Sequence, residues 1–444
     1  MFTKHRSRLV ILTLIGAHLC ALGLAFALAS RYHTELHGKP FVASLAPSLL
    51  LALSIPVAWF FVWAQFSFGY FVAFYLYQMS TGFLLLNSST ERVYNHSLAA
   101  ASTLISLILF LLPALFILRE PKERYALSAH SFDRLLLAIL VFAFLIVLVA
   151  GTYNFNLRFT TISELRTELF TARLRNELMF PLSLRYSIGI LSSALLPFAF
   201  SFLLRDRRYW LAGASLVLMA LFFPITLSKT ALFAPAWLIF VAALTALFEP
   251  RVAVIASLST PLLIGLLSVF ILAGNNPVFD LLAFRMFDIP SAALAVYNEF
   301  FANHPKTYFC QLSFAKQLID CPYDDQLGVV MAKAYGLGNY NASLLATEGI
   351  ASLGIAWAPL SALACGFVIA LGNCASARLS SETVLISSCV LCQAILNVPL
   401  STALLTHGGG LLFVLWYIAP SGAFPANEHS RKAEDLDNDS RLRP

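Results

Sequence analysis

Residues 135–151 read Leu-Leu-Leu-Ala-Ile-Leu-Val-Phe-Ala-Phe-Leu-Ile-Val-Leu-Val-Ala-Gly, with Arg134 before them and no charged or amide side chain among them. A helix of this composition is apolar all round, so no face of it is suited to water. At about 1.5 Å per residue it covers most of a hydrocarbon layer about 30 Å thick. An uncharged apolar run of about this size reads as a helix that crosses a bilayer.

Runs of the same kind recur outward from this one, at 9–30, 97–118, 186–204, 209–228, 231–248, 252–273 and 349–373. Two longer runs, 40–90 and 383–427, exceed one crossing and are divided near Gln65 and near Pro399. The expectation is an all-α polytopic membrane protein of about twelve spans. Spans one to nine fall within 1–273, a large loop occupies 274–348, spans ten to twelve fall within 349–420, and a polar tail occupies 421–444. Composition agrees: of 444 residues, 59% are hydrophobic and 12% charged. Soluble domains carry about a quarter charged residues, so a cytosolic enzyme and a disordered chain are both excluded.

An even number of spans puts both termini on one side. With the N-terminus inside, the inner segments hold 16 of the 29 basic residues, among them Lys4, Arg6, Arg8, Arg119, Arg134, Arg205, Arg207, Arg208, Arg251 and Arg378. They sit in short loops and tails, whereas the other 13 are spread over longer outer segments. Positive charge in short loops marks the inside, so the expected topology is N-in and C-in. Lys4 to Arg8 followed by an uncharged stretch reads as a first span and start signal, not as a cleaved leader.

Polar residues gather in three places. The segment 152–185 carries Arg158, Arg166, Arg173, Arg175 and Arg185, and its Ile162, Leu165, Leu169, Leu174 and Leu178 recur at helical spacing. That pattern predicts an amphipathic helix on the outer membrane face, though a charged face with Glu177 paired to Arg173 explains any one arginine equally well. The segment 274–348 holds Asp280, Arg285, Asp288, Glu299, His304, Lys306 and several aromatic residues. It is read as the largest soluble piece, and long loops are where function tends to lie. Lys229, in Leu227-Ser228-Lys229-Thr230, is the one charge between Tyr209 and Phe248. It either snorkels from a turn or contacts an anion at the outer interface.

No phosphate-binding glycine loop and no zinc-hydrolase motif is present, and no cofactor or metal is expected. Cys389 and Cys392 form an isolated C-x-x-C inside a span, where burial as small hydrophobes is the default. Cys310 and Cys321 share the outer loop and are expected to pair if that side is oxidising.

Three stretches carry a family likeness. They are Leu227-Ser228-Lys229-Thr230-Ala231-Leu232; Arg285 with the run to Ala302-Asn303-His304-Pro305; and Asn339-Tyr340-Asn341 followed by Glu348-Gly349 and Leu353-Gly354-Ile355. With some twelve spans and a late outer loop, the chain resembles the Wzy-type polysaccharide repeat-unit polymerases, within the wider O-antigen polymerase and ligase superfamily. Two departures stand out. Lys229 takes the place of the family's usual arginine, and no Arg-x10-Gly pattern starts at Arg158, Arg175, Arg185 or Arg285. The ligase branch places a histidine where this chain has Gly338-Asn339-Tyr340-Asn341.

The resemblance implies a GT-C-like glycosyltransferase at the periplasmic face of a bacterial inner membrane. Its substrate would be an undecaprenyl-pyrophosphate-linked oligosaccharide, and its partners membrane lipid and a chain-length regulator, with no nucleic acid. Arg285, Glu299 and His304 are then the catalytic candidates. Lys229, Arg158, Arg173, Arg175, Arg185 and Asn341 would bind substrate. The chemistry asks for such groups: guanidinium groups stabilise the charge that develops on a pyrophosphate leaving group, and a carboxylate or imidazole takes the acceptor proton. A ligase of the same superfamily and a lipid-linked oligosaccharide flippase are the alternatives. A flippase would favour ionisable groups near mid-membrane and internal repeats.

Overall fold

A computed structural model describes residues 2–34, 45–121, 125–155, 180–312, 319–336 and 342–420, and every regular element among them is helical. The chain begins with α1 (Phe2–Tyr32), α2 (Leu45–Trp63), α3 (Phe68–Asn87), α4 (His96–Phe116) and α5 (Ala129–Tyr153). It continues with α6 (Leu182–Arg205, with a π-helical stretch at Leu191–Leu195), α7 (Tyr209–Thr226), α8 (Lys229–Leu247) and α9 (Pro250–Ile271). Then follow a π-helical turn Asp280–Asp288 running directly into α10 (Ile289–Asn303), α11 (Leu327–Tyr335) and a second π turn, Leu345–Ala351. The last helices are α12 (Ala358–Ser376), α13 (Ser381–Ile395), the short α14 (Leu400–Leu405) and α15 (Gly409–Ile418).

Local sequence explains where many of these begin. Ser67, Asn95, Ser128, Ser228 and Ser380 each precede a helix, and each side chain accepts a backbone N–H of the first turn. Such caps satisfy donors that a helix start leaves unpaired. Among the described residues, nine helices are long and apolar enough to cross a membrane, and α13, α15 and the second half of α2 are shorter apolar helices. With its described elements all helical, the chain is a polytopic membrane protein.

The bundle is built around α3. Every residue of α3 is buried, and it packs against α1, α2, α4, α9, α10, α12 and α13. Peripheral α5 is the opposite case: Leu137, Val141, Phe144, Leu145 and Leu148 are all more than half exposed. In lipid such side chains need no cover, which is why the reading from residues 135–151 succeeds on composition alone.

Polar contacts define two ends. At one, which we call the amino-terminal face, Arg251 reaches the Ala64 carbonyl and Arg378 pairs with Glu120. Arg208 pairs with Asp133 there, and the Leu127 amide donates to the Ile418 carbonyl. At the other, the disulfide face, His33 meets Asp280, Asn87 meets His96, Asn154 reaches the Ile225 carbonyl and Cys310 is bonded to Cys321.

Three departures from the sequence reading matter. The first long run breaks near Gln65, at 64–67, and the second near Pro399, at 396–399, but the second run breaks twice. Pro399 caps the start of α14, and the chain turns again at 406–408 before α15. The run 349–373 is not one helix either. It is interrupted at Gly354, whose φ of +80° favours glycine, and the Lys306 stem occupies the space a Cβ would need. Finally, the segment 274–348 does not begin as a soluble loop, because α10 is buried on nearly all sides from Pro290 to Phe301. Its small residues, Ser291, Ala292, Ala293 and Ala295, allow that close packing.

Candidate functional site at the disulfide face

Helix α10 divides the candidate residues between its two ends. Before its start, the π turn Asp280–Asp288 carries Asp280, Arg285 and Asp288 within nine residues. His33, at the end of α1, donates from Nε2 to Asp280 Oδ1 at 2.9 Å and stacks on Phe284 with ring centroids 3.7 Å apart. Asp280 and Asp288 are buried, and Arg285 is half-buried beside them. A π turn inserts one extra residue per turn, and such bulges concentrate at functional positions.

At the far end of α10 lies a shelf of charge and aromatic rings. Arg92 Nη1 donates to Glu299 Oε2 at 2.7 Å, and the Val93 amide donates to Glu299 Oε1 at 2.9 Å. The Arg92 guanidinium also lies over the Tyr335 ring, 5.2 Å from its centroid. Burial, with the Glu299 carboxylate beside it, pushes the Tyr335 phenol up to about 12, so that hydroxyl is neutral throughout the physiological range. His304, the C-cap of α10, stacks flat on Phe300 with centroids 3.9 Å apart. Its Nδ1 donates to the Phe300 carbonyl at 2.8 Å. That bond fixes the neutral tautomer, leaving the Nε2 lone pair as the acceptor on an exposed ring. Tyr323, whose hydroxyl donates to the Pro305 carbonyl at 2.7 Å, packs against both Phe300 and Phe301.

Beneath the shelf lies a buried carboxylate. Glu348, in the second π turn, is 9% exposed. Its Oε1 accepts from the Ser401 amide at 3.1 Å and the Ser401 hydroxyl at 3.2 Å, and its Oε2 accepts from Thr347 Oγ1 at 2.5 Å. The carboxylate therefore closes the start of α14. Both helix interruptions here sit below the face. The Ile355 carbonyl accepts from Ser102, six residues into α4, and the Thr406 carbonyl abuts Gly189, seven residues into α6. At 1.5 Å per residue each lies about 10 Å beneath the helix ends.

The sequence-selected residues are thus not one constellation. Arg285 precedes Glu299 by 14 residues of continuous helix, roughly 20 Å at helical rise, so the proposed catalytic trio of Arg285, Glu299 and His304 is split. Glu299 and His304 do share the shelf, but both Glu299 oxygens are engaged in holding the Arg92–Val93 segment. Lys229 is the first residue of α8, half-buried, after Leu227 in the left-handed region with φ 49°. Arg185 is exposed at the start of α6 and approaches the Phe180 carbonyl at 3.5 Å. Arg158, Arg173, Arg175 and Asn341, with the expected amphipathic helix, lie outside the described residues.

Arg92, His33 and its pairing with Asp280, and the buried position of Glu348 escape a sequence reading. Their partners are distant in the chain: Glu299 is 207 residues from Arg92, Asp280 is 247 from His33 and Ser401 is 53 from Glu348. No protein-family model, curated protein or solved structure matches this chain.

Proposed function

We propose that the protein is a membrane glycosyltransferase that joins lipid-linked oligosaccharide units into a polysaccharide at its disulfide face. The observation that carries this reading is the shelf of Arg92, Glu299, His304, Tyr323 and Tyr335 above a buried carboxylate. Sugars present apolar ring faces that stack on aromatic rings, and hydroxyls that pair with carboxylate, guanidinium and imidazole. A disulfide belongs to an oxidising compartment, so the shelf faces outward and both termini face the cytoplasm, the topology that basic residues favour as well. The twelve-span count follows if α2, α13 and α15 cross with their flanking turns.

In this mechanism the acceptor hydroxyl gives its proton to His304 Nε2 as its oxygen bonds the donor's anomeric carbon, and the bond from that carbon to the lipid pyrophosphate breaks. Lys229 and Arg285 sit at the same face but outside the shelf, so the shelf's own cation, Arg92, is the one placed to stabilise the growing charge of that leaving group. Glu299 acts by holding Arg92 in place.

The interrupted helices around Glu348 favour one second reading, a carrier of lipid-linked saccharide, because broken helices about an intramembrane carboxylate are a transporter device. A polysaccharide gel from native-host cells lacking the gene separates the two. Loss of the ladder with a single-unit product retained, restored by a complementing copy, supports the polymerase. Long free lipid-linked chains would instead indicate a ligase, and an unchanged ladder would overturn the glycosyltransferase reading.

A further inference from the structure

The amino-terminal face holds a cavity of about 330 Å³ that plays no part in the proposed chemistry. Ligand sites begin at about this size. Its lining includes Arg8, Trp63, Gln65, Glu249, Arg251 and Ser381, drawn from α1, the α2–α3 turn, the start of α9 and the start of α13. Arg8 lies over the Trp63 ring, its guanidinium carbon 4.1 Å from the centroid. Arg251 pairs with Glu249 through Nε and donates from Nη1 to the Ala64 carbonyl at 3.4 Å. Among the described lining residues two guanidiniums stand against one carboxylate, which makes that lining net positive. Helices α9 and α13 also start here, and their dipoles add positive potential.

The cavity sits where lipid headgroups lie. Arg8 is the last charge before the apolar run of α1, and Leu9 and Trp63 beside it are 66% and 59% exposed. Below Trp63, at four-residue spacing, Trp59 and Ile55 are 47% and 49% exposed, so one face of α2 continues from the cavity as an open apolar stripe. Tryptophan and arginine at that level mark the membrane–water boundary.

We propose that this cavity binds the phosphodiester headgroup of an anionic phospholipid, with an acyl chain along the Trp63–Trp59–Ile55 face. Arg8 and Arg251 contact the phosphate, and Gln65 and Ser381 contact the headgroup hydroxyls. The site is independent of the reaction at the opposite face. It locates the lipid that holds α1, α2, α9 and α13 together at their common end.

Native mass spectrometry on delipidated full-length protein, titrated with phosphatidylglycerol, phosphatidylcholine or inorganic phosphate, tests this. The expected result is saturable phosphatidylglycerol binding that also raises the thermal midpoint. Phosphatidylcholine should bind about tenfold more weakly, and millimolar phosphate should not compete. Arg8→Gln, which removes one charge at the rim, should weaken phosphatidylglycerol by about tenfold, the scale of one lost charged hydrogen bond. Arg251→Lys, which keeps the charge beside Glu249, should weaken it less. Equal binding of phosphatidylglycerol and phosphatidylcholine, or an Arg8→Gln variant with unchanged affinity, overturns the proposal. Full displacement by inorganic phosphate does so as well, because the ligand would then be a free anion.

Discussion

Replacing Glu299 by Gln distinguishes a clamp from a catalytic base, and the structure sets the size of the effect. The Arg92 and Glu299 side chains are 13% and 19% exposed, between a surface pair and a buried one. Exposed pairs contribute about 0–1 kcal/mol, while removing one partner of a buried pair costs about 3–5 kcal/mol. Glu299→Gln keeps an oxygen for the Val93 amide and leaves the guanidinium facing a neutral amide, so a loss of about 1–2 kcal/mol is expected. Arg92→Gln leaves the carboxylate without its charged partner and removes the cation from over the Tyr335 ring, so about 2 kcal/mol is expected. The double variant should lose less than the sum, with a coupling of about 1 kcal/mol or more. Thermal unfolding in detergent can be followed by thiol-reactive dye in a Cys20→Ser, Cys374→Ser background, since Cys365, Cys389 and Cys392 are buried and react only on unfolding. Additive losses would show that the pair does not couple. A Glu299→Gln variant of unchanged stability that makes no polymer would refute the clamp and return Glu299 to the chemistry.

Three further outcomes are expected. His304→Phe preserves the stack on Phe300 but removes Nε2; the protein should fold normally and lose chain extension by about 100-fold or more, read from the polysaccharide ladder. Gly366→Val should loosen the α4–α12 contact by about 1–3 kcal/mol, because a Cβ there would lie 2.7 Å from the Phe110 carbonyl and 2.7 Å from the Pro113 ring. A normal thermal midpoint for that variant would mean the two helices are farther apart. Peptides containing Cys310 and Cys321 should resist alkylation until reductant is added, and Cys310→Ser should raise proteolytic cleavage near Cys321 through a local loss of about 2–3 kcal/mol.

How far the sequence speaks depends on what surrounds each helix. The lipid-facing α5 is legible because lipid asks only for apolarity, and the caps at Ser67 and Ser380 are local signals. Helix α10 is not legible in this way. Its sequence, Ile289-Pro290-Ser291-Ala292-Ala293-Leu294-Ala295-Val296-Tyr297-Asn298-Glu299, is neither a lipid-facing run nor an amphipathic stripe, since protein covers it on nearly all sides. The same holds for the candidate site. His304 and Glu299 stand out as isolated polar residues, but that Glu299 is engaged follows from Arg92, and Arg92 lies in a short turn with no pattern of its own. The split of Arg285 from His304 became visible only when the intervening residues proved to be continuous helix.

The burial of α3 bears on how the protein enters the membrane. Its most apolar 18-residue stretch has a mean hydropathy of 1.2, against 3.0 for that of α5, and it carries Gln78, Ser80, Thr81 and Asn87. A nascent helix of that kind partitions weakly into lipid by itself, whereas α5 needs no help. Insertion of α3 therefore has to wait for neighbours, with α2 and α4 the first available as the chain emerges and α10, α12 and α13 much later. Until those arrive, its polar side chains face lipid or the insertion machinery. The central helix is then the last part of the molecule to reach its final surroundings, although it is among the first to be synthesised.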